Sequence, residues 1–136
     1  MKLVLCIALG MLLTLTACEK EDEASNCEKL EGKWTLSSWL EDGEEFFGDT
    51  IYITSSIIEF KTLENMQGDL TWTISYLLGG DLDIIGSYAV NASCDTVTIT
   101  PKSGVPIPYA FDIEGDILTL DRQDFAHHIE QEYTRQ

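Results

Sequence analysis

Positive charge is scarce in this chain. Eight Lys and Arg stand against 24 Asp and Glu, for a formal net charge of −16. Such a surface repels nucleic acid phosphates and anionic lipid heads, so no nucleic acid partner is expected. Histidine is scarcer still: the two present, His127 and His128, are adjacent. Neighbours on a strand point to opposite faces, so the pair is poorly placed to share one metal ion. No Cys or His cluster has zinc spacing. No glycine-rich phosphate loop exists, Gly79-Gly80 reading as a hairpin turn, and no Gly-x-Ser-x-Gly elbow is present. The acidic stretch Glu41-Asp42-Gly43-Glu44-Glu45 lacks the alternating oxygen ligands and terminal Glu of a calcium loop. Asp112, Glu114 and Asp116 straddle a turn at Gly115. Nothing marks the partly buried carboxylate pair of a glycosidase. No catalytic residue, metal or cofactor is therefore expected, and the chain reads as a non-enzyme.

Long apolar runs are also missing. The stretch Leu3–Leu15 falls short of the about 20 residues of a permanent membrane span. With Met1-Lys2 before it and Thr16-Ala17-Cys18 after it, it reads as a secretory signal peptide over residues 1–17. Leu15-Thr16-Ala17-Cys18 resembles the lipobox of bacterial lipoproteins. That resemblance implies cleavage before Cys18, lipidation of its thiol and amine, and a membrane anchor of two or three acyl chains. An ordinary secretory signal that ends in Cys is the alternative. Residues 18–26 then form the lipidated Cys and a polar, acidic, aperiodic tether. Lys20-Glu21-Asp22 resembles the export signal of some Gram-negative lipoproteins, which implies the outer membrane, at the cell surface or on the periplasmic face.

Cleavage leaves about 120 residues, one domain with one core. Cys6 is lost with the signal, so Cys27 and Cys94 remain as an even pair in an oxidising compartment. A disulfide between them is expected, with two buried free thiols as the alternative.

Ser25-Asn26-Cys27-Glu28 has capping-box spacing and predicts one helical turn over Cys27–Leu30. Beyond it apolar residues recur every second position. Trp34, Leu36 and Leu40 share a face in the first strand, which leaves Trp39 outside. Ile58 and Phe60 follow. Leu70, Trp72, Ile74 and Tyr76 form the clearest alternation, then Ile84, Gly86, Tyr88 and Val90, then Val97 and Ile99, and then Ile107, Tyr109, Phe111 and Ile113. Glu114-Gly115-Asp116 is a hairpin signal before Leu118 and Leu120. Asp121–Asp124 reads as a turn before a last strand with Ile129 and Tyr133. About eight short strands without a long helix predict an antiparallel barrel or sandwich, and closure leaves no free edges.

Gly32-Lys33-Trp34, opening the first strand after a helical turn, resembles the Gly-x-Trp motif of the lipocalins. Leu30-Glu31-Gly32-Lys33-Trp34-Thr35-Leu36 is similar to the lipocalin-like domains of small bacterial lipoproteins. The resemblance covers residues 27–136. It implies an all-β, antiparallel, eight-stranded, lipocalin-like up-and-down barrel with a short N-terminal helical turn. Trp34 is then a structural plug at the closed end. Arg135 is the preferred cation over its ring, and Arg122 the competitor.

Two functions fit this fold. The barrel binds a small, partly apolar molecule, with Phe60, Trp72, Tyr76, Tyr88, Tyr109 and Phe111 as candidate cavity lining. Alternatively those rings fill the barrel, and a protein partner docks on its outer surface, with Trp39 as a candidate contact. Asn91-Ala92-Ser93 matches a glycosylation triplet, and Asp49-Thr50-Ile51 and Asp95-Thr96-Val97 resemble another.

Overall fold

Alternating apolar residues in short runs build a closed antiparallel barrel in the computed structural model, which describes residues 25–48 and 52–136. The signal segment, Cys18, the export-signal residues and Asp49-Thr50-Ile51 lie outside the described residues. Helix α1 (Asn26–Leu30) precedes β1 (Gly32–Glu41), the two-residue β2 (Glu44–Glu45), β3 (Ile53–Phe60), β4 (Gln67–Tyr76) and β5 (Asp81–Val90). Strands β6 (Thr96–Pro101), β7 (Ile107–Glu114), β8 (Ile117–Asp124) and β9 (His127–Arg135) complete the chain. Long strands pair with their neighbours in chain order, β1 pairing with β3 and, to close the ring, with β9. An up-and-down barrel of eight main strands results, with β2 as a short addition along the far half of β1.

The helix is capped as its sequence predicts: the Ser25 side chain accepts from the Glu28 N–H at 3.4 Å. The Cys27–Cys94 disulfide, with Cα atoms 5.1 Å apart, ties it to the turn between β5 and β6. Asn26 adds a hydrogen bond to Asp112 on β7 at 3.1 Å. One end of the barrel is thereby covered by α1. The opposite end is ringed by the β1–β2, β4–β5, β6–β7 and β8–β9 connections.

Two corrections concern the strands. The register shifts between Leu36 and Ser38, where Leu36 faces Tyr133 and Ser38 faces Glu132, so Ser37 is an extra residue. Such a bulge inverts the alternation of everything after it. Trp39 therefore turns inward and packs against the core opposite Gln131, and Leu40 faces outward beside Glu130. Trp39 is therefore not the outward-facing contact that strand parity alone predicts. Second, Asp121–Asp124 is not a turn: Asp121 to Asp124 pair with Glu130 to His127, and the reversal falls at Phe125 and Ala126.

Gly86 marks a close approach of two strands. A Cβ there would come 2.2 Å from the Thr100 carbonyl oxygen, so only glycine lets β5 approach β6 so closely.

Candidate functional site

At the closed end, Trp34 is fully buried and its indole N–H donates to the Leu30 carbonyl at 2.9 Å. The Arg135 guanidinium lies 4.2 Å from the centre of its ring. Its two terminal nitrogens donate to the main-chain carbonyls of Glu31, at 2.9 Å, and Lys29. One side chain thus covers the indole and satisfies carbonyls at the end of α1, which has no further turn to accept from. Gly32 makes room for it: its φ is 124°, and a Cβ would sit 3.0 Å from the guanidinium. Arg122 is far from this end. It lies 5.5 Å over the Tyr109 ring instead.

The ring residues expected to line a cavity are packed against one another. Phe60 meets Tyr88 edge-on at 5.0 Å, and Trp72 meets Tyr109 at 6.4 Å. Phe111 is buried in the same core. The Tyr88 hydroxyl donates to the Lys61 carbonyl, so it serves the main chain and is not free to orient a ligand. Burial pushes that hydroxyl up to about 12, with the Glu31 charge adding to the rise. Tyr76 corrects the expected set: it is 39% exposed and stands at the end of β4, on the side of the barrel away from α1.

Polar groups also enter the core. The Trp72 indole N–H donates to Ser56 Oγ at 2.8 Å, and that hydroxyl lies 3.5 Å from the Tyr133 hydroxyl. Burial raises the Tyr133 pKa well above the ordinary tyrosine value. Tyr109 is raised for the same reason, and the neighbouring Arg122 charge draws it partly back. Gln131, 1% exposed, faces inward from β9, and its Oε1 has no hydrogen-bond partner among the described residues. Arg122 faces inward from β8, and its buried Nε–H has none either. Sequence reasoning missed both atoms. The available signal was parity: Gln131 shares the inward set of Ile129 and Tyr133.

The wall beside Arg122 is open. The β7–β8 ladder runs from Glu114↔Ile117 to Ala110↔Asp121 and stops there, although β7 continues to Ile107 and β8 to Asp124. Pro108 gives the reason. The Phe111 N–H donates to Asp95 on the β6 side, so by alternation Pro108 turns its nitrogen toward β8, where it has no hydrogen to offer. A cleft of about 420 Å³ fills the gap, lined by Val105, Pro106, Ile107, Pro108, Arg122, Gln123, Asp124 and Phe125. Two further clefts, of about 490 and 550 Å³, share Lys61, Asp69 and Ser87 and lie over β4 and β5.

The histidines diverge as strand neighbours do. His127 Nδ1 meets Asp42 at 2.7 Å, and His128 Nε2 meets Asp121 at 2.6 Å. His128, Asp121 and Glu130, of which only His128 is fully exposed, form a surface cluster with ligand atoms within 4.8 Å of one another, a grouping the sequence spacing does not reveal. Asn91 holds its own turn: its Oδ1 accepts from the N–H groups of Asp95 and Thr96, each at 3.1 Å.

No family model matches the chain, and no curated protein matches it. Among solved structures it is similar to a de novo designed fluorescence-activating β-barrel, at 14% identity and a TM-score of 0.58. The match covers 83% of this chain and 100% of that one. At that identity the likeness concerns the fold alone.

Proposed function

We propose that this protein is a lipid-anchored outer-membrane lipoprotein of the lipocalin-like kind, whose barrel binds a small, partly apolar molecule without catalysis. The observation that supports binding is the cleft of about 420 Å³ between β7 and β8, which falls in the size range of small-molecule sites. The anchor reading rests on the order of signal segment and lipobox before Cys18. Native mass spectrometry of protein purified from its own host envelope tests the binding reading. A reproducible small molecule retained in stoichiometric amount is expected, and uniformly empty protein refutes it. Cys18→Ser is expected to block processing and to release the protein from the membrane fraction. Normal cleavage with unchanged membrane association refutes the anchor.

A second reading has its own support. Leu78 on the β4–β5 turn and Ile85 on the outer face of β5 are strongly exposed, and exposed apolar groups of this kind suit a protein partner. A pull-down that loses its partner on Leu78→Ser, with barrel contents unchanged, would favour that module.

A further inference from the structure

We propose that His128, Asp121 and Glu130 form a surface site for one divalent first-row transition ion such as zinc. The site is separate from the binding reading above and does not rest on it.

Strand geometry brings the three donors together. His128 and Glu130 are two residues apart on β9, so both project from its outer face. Asp121 faces Glu130 directly across the β8–β9 ladder. His128 Nε2 lies 2.6 Å from Asp121 Oδ2, and the donor atoms of all three residues lie within 4.8 Å of one another. Donors about 2.0–2.2 Å from a zinc ion stand about 3–3.5 Å apart. Rotation of the side chains covers the difference, since those of His128 and Asp121 are 48% and 39% exposed. The ion takes the place of the hydrogen between Nε2 and Oδ2, which passes to Nδ1 or to solvent. His127 points the other way, meets Asp42 at 2.7 Å and takes no part.

A second observation is electrostatic. Asp121 and Glu130 are like charges directly opposite each other, an arrangement that destabilises a sheet. Among the described residues Lys and Arg make the ion pairs Arg122–Asp124 and Arg135–Asp116, so neither carboxylate is offset by such a cation. A divalent ion removes the repulsion and, with His128 uncharged, leaves the site neutral. The formal charge of −16 draws cations to the surface as a whole. The frame beneath the site is fixed. The Asp42 carboxylate accepts from the His128 N–H at 2.9 Å, and the Asp42 N–H donates to the His128 carbonyl at 2.8 Å.

The donor set chooses the ion. An imidazole nitrogen suits zinc, copper, iron and nickel, whereas magnesium and calcium prefer shells of oxygen alone. One nitrogen and two carboxylates leave at least one position for water.

The test titrates zinc chloride into the full chain, untagged, metal-free and in neutral detergent, followed by calorimetry and by NMR of the imidazole nitrogens. About one ion per chain is expected, with a shift at His128 Nε2. His128→Ala should weaken binding by more than about tenfold, since even an outer partner of a ligand is worth that much. His127→Ala should leave it unchanged. If His128→Ala does not fold, Asp121→Asn replaces it, with the same loss expected. Equal losses in the two histidine variants overturn the assignment. So does displacement of zinc by an equal concentration of calcium, which marks a diffuse acidic surface. Absence of zinc binding overturns the site outright.

Discussion

Replacing Trp34 by alanine removes a fully buried indole, its hydrogen bond to Leu30 and the surface over which Arg135 lies. Large aromatic-to-alanine changes in a core cost about 3–5 kcal/mol. At about 4 °C per kcal/mol for a domain of this size, Tm should fall by about 12–20 °C. Trp34→Phe keeps a ring but loses the N–H, and should cost about 1–3 kcal/mol. Arg135→Ala combined with Trp34→Ala isolates the contact between them, for which a coupling of about 0.5–2 kcal/mol is expected. Urea and thermal unfolding of the parent and the four variants, followed by far-ultraviolet circular dichroism, measure all three quantities. A loss below about 1 kcal/mol in Trp34→Ala would refute the argument that this residue holds the closed end together. Zero coupling would show that Arg135 stabilises only the α1 carbonyls.

Three further outcomes are expected. Cys27 and Cys94 close a loop over a sequence separation of 67, so the double serine variant should lose at most about 4 kcal/mol; unchanged unfolding in urea would refute a stabilising role. The His127 pKa is raised above 6.5, chiefly by its hydrogen bond to Asp42, and that of Asp42 is lowered below 3.8, chiefly by the His128 main-chain N–H. The His127 contribution is complete below its unfolded value and is lost as pH rises through the folded one, whereas that of Asp42 is lost as pH falls through its own folded value. A proton NMR titration should place the His127 midpoint above 6.5 and bring it back in Asp42→Asn; a midpoint unmoved by that change would refute the pairing. Gly32→Ala should destabilise the barrel by more than about 1 kcal/mol, because the left-handed backbone and the Arg135 guanidinium both oppose a Cβ; a neutral effect in thermal unfolding would refute that.

Much of the fold was legible in the chain because alternation is a local property. Leu70, Trp72 and Ile74 point inward because every second side chain must, whatever the neighbours are. Glycine turns and the Ser25 cap are local too, whereas the place of Trp34 at one end of the barrel came from the resemblance of Gly32-Lys33-Trp34 to a family motif. What needed the tertiary structure was anything set by pairing between distant strands. The bulge at Ser37 exists only relative to β9, and it alone decides that Trp39 faces the core. The meeting of His128 with Asp121, and the diagonal placing of Arg122 and Gln131, depend on the β8–β9 register. Pro108 is visible in the sequence, but the side to which its missing N–H is turned is not. That side decides whether a proline is harmless or opens a wall, and only the closed ring of strands assigns it.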